Sequence, residues 1–475
     1  MMKIFKNIAL WSLVLLCFNS CSAQKNKKPN FIIIFTDDQG YQDLGCFGSP
    51  NIKTPNIDQM ASEGMKFTNF YAQTVCGPSR AALLTGSYPM RNARNDKGDT
   101  PHPKLALSEV TIAEVLKPVG YKTGMIGKWD LAGHNPEKFN PDLLPMHQGF
   151  DESFFTPGSN DARVHLIRGN HLVERNADMS TLTKRYTDEA IRFIEKNKKE
   201  PFFLYLAHTM PHTKLAVSDA YRGKSEGGLY GDVIEEIDDN VGRILEHLKQ
   251  KGLDENTYVI FTSDNGPWWI KKDHGGHAEP LRGAKTSAWE GGFRVPAIIR
   301  APGKVPAGIT SENIVATIDL LPTIAKIARA EVPKDRVIDG LDISNIIHGK
   351  STALDRPFFY YQHHILRAVR KGKWKLHLAH EPDPTSIVYK KWPVHSAPKD
   401  RVLFFKPMLY NLEKDIAETT DVANENPEVV SELMELLAWA KEDIGIYKNR
   451  GENARPLGNE PYFTPNNIVP LKEKK

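Results

Sequence analysis

Three short apolar runs stand out along the chain. Residues 29–36 (PNFIIIFT), 201–207 (PFFLYLA) and 257–262 (TYVIFT) are nearly continuous in Ile, Phe, Val, Leu and Tyr instead of alternating with polar residues. That is the pattern of strands buried on both faces. Each run ends abruptly in polar residues: Asp37-Asp38-Gln39-Gly40, then His208 with His212 close behind, then Ser263-Asp264-Asn265-Gly266. Between them, residues 57–63, 80–84, 111–117, 187–196 and 232–248 carry apolar positions at helical spacing. Strands alternating with helices predict an α/β domain whose mostly parallel, mixed central sheet is flanked by helices, with ligands bound beyond the strand carboxyl ends.

From about Arg356 the pattern changes. Residues 358–361, 366–369 and 374–378 read as short hairpin strands around the turn Lys371-Gly372-Lys373, and residues 428–441 as an amphipathic helix. The chain therefore divides into a main domain over 29–355 and a smaller C-terminal α+β domain with a short antiparallel sheet over 356–475. Its last residues, from about Asn449, form a wrapping tail with little structure of its own. Ahead of both, residues 1–23 read as a signal peptide. Lys3 and Lys6 precede an apolar run over 8–18 that is too short to span a bilayer, and Cys21-Ser22-Ala23 follow. Cleavage after Ala23 and lipid attachment at Cys21 both fit, no transmembrane span is expected, and the protein is read as exported.

Charge and cysteine content narrow the function. Across 475 residues, 62 Lys+Arg against 58 Asp+Glu leave an excess of four, too small for the broad basic face that nucleic-acid binding needs. Two of the four cysteines belong to the signal segment. Cys46 and Cys76 remain, either as a single bridge or with Cys76 free for chemistry.

Two clusters carry candidate chemistry. Asp37, Asp38 and Asp264, with the amide of Asn265, all follow apolar strands. Converging carboxylates raise one another's pKa unless a cation neutralises them, and hard oxygen donors favour Ca²⁺ or Mg²⁺ over Zn²⁺. Taken singly, each acid is equally a turn or cap residue. Neighbouring strand residues point to opposite faces, so Asp37 and Asp38 converge only where the chain leaves the sheet, which Gln39-Gly40 allows. The second cluster is Cys76-Gly77-Pro78-Ser79-Arg80-Ala81-Ala82-Leu83-Leu84-Thr85-Gly86. Pro78 suits a first helical turn, which places Cys76 at a helix N-terminus that favours an anion, with Arg80 one turn on.

The segment CGPSRAALLTG resembles the signature of type I, formylglycine-dependent sulfatases of the alkaline-phosphatase-like superfamily. Six further segments resemble that family's landmarks in the same order: PNFIIIFTDDQGYQDLGCFG, GYKTGMIGKWDLAGH, the PH of LAHTMPHTKL, TSDNGPWW, LRGAKTSAWEGGFRVP and LYNLEKDIAETTDVA. The likeness spans about residues 29–441. It implies that a maturation enzyme converts Cys76 to formylglycine (3-oxoalanine), whose hydrated aldehyde attacks sulfur, displaces the alcohol and later expels sulfate. It also implies that Asp37, Asp38, Asp264 and Asn265 hold one Ca²⁺, with the modified Cys76 as a further ligand. Arg80, Lys128 and Lys285 then clamp the sulfate, Lys128 also contacting the diol, and His212 protonates the leaving oxygen.

One departure stands out. Many relatives read GKWHLG, whereas this chain reads Gly127-Lys128-Trp129-Asp130-Leu131-Ala132. An added negative group near a sulfate is unfavourable unless a cation offsets it. Asp130 is therefore expected to face Lys128 or Arg80, to turn toward a substrate hydroxyl, or to leave the family histidine's role to His134. Trp268, Trp269, His274, His277, Arg94, Asn95, Arg163 and His165 lie in loops near these motifs and are candidates for a sugar subsite. Read with the signal peptide, the resemblance implies an enzyme of the periplasm or cell surface of a Gram-negative bacterium. It would act on a sulfated oligosaccharide, from an algal polymer such as ulvan or carrageenan or from a glycosaminoglycan. Rival readings are a phosphoester or phosphonate hydrolase of the same superfamily and a catalytically silent glycan-binding relative.

Overall fold

Strand β1 (Asn30–Thr36) has no exposed face: all seven residues are buried. Phe31, Ile33 and Phe35 enter one apolar cluster while Ile32 and Ile34 enter another on the opposite side of the sheet, so the continuous apolar run is explained by two covered faces. This computed structural model describes residues 27–93, 104–161, 163–351, 353–379, 406–446 and 449–456; the expected signal segment lies outside them. The main sheet continues through β2 (Met65–Tyr71), β3 (Lys122–Lys128), β4 (Glu152–Thr156), β5 (Leu166–Arg168), β6 (His171–Glu174), β7 (Phe202–Ala207), β8 (Thr257–Ser263), β9 (Arg294–Arg300), β10 (Ile309–Ser311) and β11 (Val315–Ala316). Their order is β10-β2-β9-β8-β1-β7-β3-β4-β5-β6, with β11 also on β2.

The sheet is mixed, and its centre is parallel. β1 pairs in parallel with β7 and β8, and β3 with β7 and β4. β9 runs antiparallel to both β8 and β2, so β2 points the same way as the central strands. β10 and β11 pair in parallel with β2, so all of these strands but β9 deliver their carboxyl ends to one edge of the sheet. One face is covered by α2 (Cys76–Thr85) and α5 (Leu320–Ala328), the other by α1 (Pro55–Ser62), α3 (Leu182–Asn197) and α4 (Gly228–Gln250). Among the described residues no helix is long and apolar enough to cross a membrane.

The smaller unit is an antiparallel sheet of β12 (Pro357–Gln362), β13 (Ile365–Lys371), β14 (Trp374–His377) and β15 (Met408–Asn411), covered by α6 (Pro427–Asp443). Leu433, Leu437 and Ala440 of α6 share a core with Phe358, Phe359 and Val369, and with Tyr71 and Phe293 of the main domain. The expected tail has more structure than its composition suggests. Gly445–Ile446 pairs with Asn449–Arg450, and Arg455 reaches back to Glu109 at 2.8 Å.

A buried charge network joins the two units. Glu290, in the main domain, accepts hydrogen bonds from Tyr71 and Tyr360 at 2.6 Å each and from Lys375 at 3.0 Å, with Arg370 at 3.4 Å. Its backbone N–H donates to Glu418, which also faces Lys375 at 2.7 Å. Burial alone would raise the Glu290 pKa, but Lys375, Arg370 and Arg294 outweigh it and hold the carboxyl well below the usual range. Removing one partner of such a buried group strands the others without a counter-charge. Glu290→Gln is expected to cost about 3–5 kcal/mol of stability at neutral pH, measured by denaturant or thermal unfolding. Because the folded-state pKa is depressed, wild type loses this contribution as pH falls below the ordinary value of 4.5, so the gap between the two proteins narrows there.

Candidate active site

The carboxyl ends of β1 and β8 build an acidic floor. Asp38 adopts a left-handed backbone, φ 64°, which frees its side chain from the strand alternation that would set it opposite Asp37. The turn is thus made at Asp38 itself, one residue earlier than Gln39-Gly40 suggests. Gly40 serves a different need: a Cβ there would lie 2.0 Å from the His277 carbonyl, so only glycine lets the two loops pass. The Asp38 N–H donates to Asp264 Oδ1 at 3.0 Å, and Asn265 Nδ2 donates to Asp38 Oδ1 at 2.8 Å. Ligand atoms of Asp37, Asp38, Asp264 and Cys76 all lie within 4.8 Å of one another.

Cys76 opens α2, which follows β2, and all ten residues of that helix are buried. Pro78 is its third residue, as a first-turn proline should be. The thiol lies 3.4 Å from Lys285 Nζ and 3.9 Å from Asp38 Oδ1. Cys46 and Cys76 are both free, which overturns the single-bridge reading; Cys46 instead sits beside Asp58, its backbone N–H donating to that carboxylate at 2.7 Å. Three cations face the acids. Arg80 meets Asp264 at 2.7 Å, Lys128 meets Asp37 at 2.7 Å and Lys285 meets Asp38 at 2.5 Å. Arg80 and Lys128 are fully buried. Lys128 ends β3 directly after Gly127, where a Cβ would fall 1.7 Å from the Ala207 carbonyl.

The opposite wall comes from the loops after β3, β4 and β7. His212 places Nε2 3.7 Å from Asp38 Oδ2, and its Nδ1 is held by Asn160 Oδ1 at 3.0 Å. Asp130, at φ 58°, faces Lys128 at 3.7 Å through one oxygen and His134 Nδ1 at 2.8 Å through the other. Of the three arrangements expected from sequence, the geometry gives the first: Asp130 faces Lys128, with His134 on its other oxygen. Arg80 instead donates to the Lys128 carbonyl at 3.1 Å. The far nitrogen of His134 meets Asp161 at 3.2 Å, and Asp161 lies 3.9 Å from His212 Nε2.

Burial and charge set the protonation states. Burial pushes the Cys76 thiol well above its usual pKa, and Asp37 adds to the effect. Burial, then Asp37, pushes Asp264 up to about 8, whereas Asp37 is held low because Lys128, His212, Arg80 and Lys285 outweigh its burial. Burial would lower His134, but Asp130 and Asp161 outweigh it and lift the imidazole to about 9. Asp37 Oδ1, Asp38 Oδ2 and Asn265 Oδ1 are buried with no hydrogen-bond partner among the described residues. Buried oxygens of this kind are costly unless they bind something, and a set of carboxylate and amide oxygens fits a hard divalent cation.

The sugar-subsite candidates divide. Trp268 lies 5.3 Å from the His212 ring at a tilt of 35°, and under Lys285 at 4.6 Å, so it borders the site. Trp269 and His274 bound the short helical turn beside it, and His274 is exposed with no hydrogen bond or ring contact to the cluster among the described residues. Exposed His277 pairs with Glu279 at 3.6 Å, Arg163 pairs with Glu137 at 3.0 Å, and His165 is buried behind them, 3.8 Å from Glu137. Arg94 and Asn95 lie outside the described residues. Sequence reasoning missed Asn160 and Asp161. The signal was there, since Ser159-Asn160-Asp161 follows β4 as Asp37-Asp38 follows β1.

Residues 29–330 match the family described as Sulfatase, and residues 354–461 match the C-terminal region of aryl-sulfatase. The chain is 39% identical over 398 residues to N-acetylgalactosamine-6-sulfatase of Mus musculus, a match covering 77% of this chain and 75% of that protein. It is 34% identical to arylsulfatase A of Homo sapiens, with 92% of each covered. Among solved structures, a Bacteroides thetaiotaomicron protein described in connection with the metabolism of multiple glycosaminoglycans superposes with TM-score 0.76 at 29% identity, covering 88% of this chain and all of that one. Ps i-CgsB, solved in complex with a neocarrahexaose, superposes with TM-score 0.74 at 29% identity, covering 90% of this chain and 95% of that one. With the fold, the site and these relatives in agreement, the chain belongs to the sulfatase family and is a sulfuric ester hydrolase.

Proposed function

We propose that the protein is an exported sulfatase that hydrolyses sulfate esters of a glycan or its oligosaccharides. In this reading Cys76 is matured to formylglycine, and one Ca²⁺ is held by Asp37, Asp38, Asp264 and Asn265 with the modified Cys76. The observation that carries it is Cys76 lying among three cations and three carboxylates at a helix N-terminus, with Lys285 Nζ 3.4 Å from Sγ. The unmodified thiol supports the same reading, because burial and Asp37 keep it protonated and hence a poor nucleophile. Maturation supplies a hydrated aldehyde as nucleophile in its place. A bound Ca²⁺ supplies charge neutralisation and Lewis acidity at the sulfate oxygens. Arg80, Lys128 and Lys285 hold the sulfate and offset its charge, and Arg80 also braces Lys128 through the carbonyl bond. His212, oriented by Asn160 at Nδ1, presents Nε2 to the leaving oxygen as the group that serves its protonation.

A glycan substrate is favoured by relatives named for N-acetylgalactosamine 6-sulfate and by a structural neighbour solved with a neocarrahexaose. Trp268 at the rim gives a sugar ring a stacking surface. Export accords with residues 1–23, and Cys21 offers a lipid anchor in a Gram-negative periplasm or cell surface. A formylglycine-generating enzyme is the partner this chemistry requires.

Mass spectrometry of the Cys76 peptide, after export from the native host, is expected to show the thiol replaced by an aldehyde; an unmodified cysteine sinks the mechanism. Cys76→Ala should lower sulfate release, followed by ion chromatography over a panel of algal and glycosaminoglycan oligosaccharides, by about three orders of magnitude or more. Chelation should lower both activity and thermal midpoint, with added Ca²⁺ restoring both. His134 should titrate near 9 by NMR. Since that pKa lies above the ordinary 6.5, its stabilising contribution is full below 6.5 and fades as pH rises through about 9, so the thermal gap between wild type and His134→Gln should close over that range.

A further inference from the structure

Asp161 differs from every other carboxylate at the site. Asp37, Asp38, Asp130 and Asp264 are at most 2% exposed, and each faces a cation. The Asp161 side chain is 47% exposed, at the mouth, on the loop after β4. Its Oδ2 meets His134 Nε2 at 3.2 Å, while its Oδ1 stands 3.9 Å from His212 Nε2, too far for a hydrogen bond. No hydrogen bond to Oδ1 is present among the described residues. An ionised carboxylate only accepts, so this oxygen is open to an O–H from outside the protein.

Its position relative to His212 says which O–H. If His212 Nε2 serves the oxygen that leaves with the sugar, as the functional reading above holds and on which this inference rests, then a group 3.9 Å from Nε2 borders that oxygen. On a saccharide, its nearest neighbour there is the hydroxyl beside the sulfate ester. A free hydroxyl donates to Oδ1. A second sulfate at the same place offers no donor and brings a negative charge against a carboxylate whose own cation, His134, is also shared with Asp130. We infer that Asp161 is a specificity-determining residue that reads the free hydroxyl beside the sulfate ester, so that the enzyme accepts saccharides monosulfated at this place and rejects those sulfated at both positions. Asp161 does not take part in bond breaking; it selects which sugars present their sulfate to the clamp.

Calorimetric binding to the Cys76→Ala protein tests this without requiring turnover, using N-acetylgalactosamine 6-sulfate, the 4-sulfate and the 4,6-disulfate. One monosulfated sugar should bind at least about tenfold more tightly than the disulfated one, the size expected of a half-exposed polar contact. Asp161→Asn keeps an acceptor for His134 but removes the charge, and should bring the ratio to within about threefold by strengthening disulfate binding. Asp161→Ala should weaken the monosulfated sugar as well. Equal binding of mono- and disulfated sugars by the Asp161 protein, an unchanged ratio in Asp161→Asn, or no binding of either monosulfated sugar overturns the inference. The sulfatase reading stands or falls separately, on sulfate release and on the state of Cys76.

Discussion

Three buried carboxylates within 4.8 Å of one another cannot all ionise unless cations meet them, and the arrangement around Asp37, Asp38 and Asp264 follows from that constraint. Each acid has its own partner, Lys128, Lys285 and Arg80 in turn, at 2.5 to 2.7 Å. These partners come from three distant parts of the chain and are themselves costly to bury, so acids and bases are stable only together. Even so, Asp264 is pushed up to about 8. Burial is the larger cause of that rise and Asp37 the next, while Asp37 Oδ1, Asp38 Oδ2 and Asn265 Oδ1 keep no hydrogen-bond partner among the described residues, a set of oxygens that suits a further cation.

The sheet makes this convergence inexpensive. Parallel central strands end at one edge, so residues far apart in sequence, Asp37, Lys128, His212 and Asp264, meet without long loops crossing the core. Local backbone strain does the rest. Asp38, Asp130 and Thr286, neighbour of Lys285, all adopt positive φ, a conformation that costs non-glycine residues of order 1 kcal/mol and persists where the surroundings over-determine it. At Asp38 it sets two adjacent acids on one side of the sheet; at Asp130 it turns the side chain between Lys128 and His134.

Much of this was legible in the sequence. Continuous apolar runs ending in acids located β1 and β8 with their carboxylates, and Pro78 with the Ala-Leu run located α2 and the position of Cys76. What stayed hidden was of two kinds. Asn160 and Asp161 act across space on His212 and His134, 52 and 27 residues away, and short polar triplets after strands are too common to single out. Glu290 was hidden in another way: as a charged residue in a loop-like segment it reads as surface, and only the packing of β12 to β14 against the main sheet makes it the buried link between the two units. The turn at Asp38 was expected one residue later, at Gln39-Gly40, because a glycine nearby is the usual sign of such a turn, while Gly40 is in fact required by the passage of the His277 loop.

Asp130 shows how a site can hold an additional buried carboxylate and balance it locally. An aspartate alone would oppose the sulfate. Here His134, four residues on, lies against it at 2.8 Å and is lifted to about 9, so the pair carries an imidazolium at working pH. An imidazolium with a carboxylate on each nitrogen donates through both, which fixes the ring and orients Asp161 toward the mouth. The imidazolium thus lies one side chain further out than Lys128, against half-exposed Asp161. Lys128, 2.7 Å from Asp37 and 3.7 Å from Asp130, is the buried cation of that wall. Asp130 therefore couples the buried cation of this wall to the imidazole nearer the mouth through a single carboxylate.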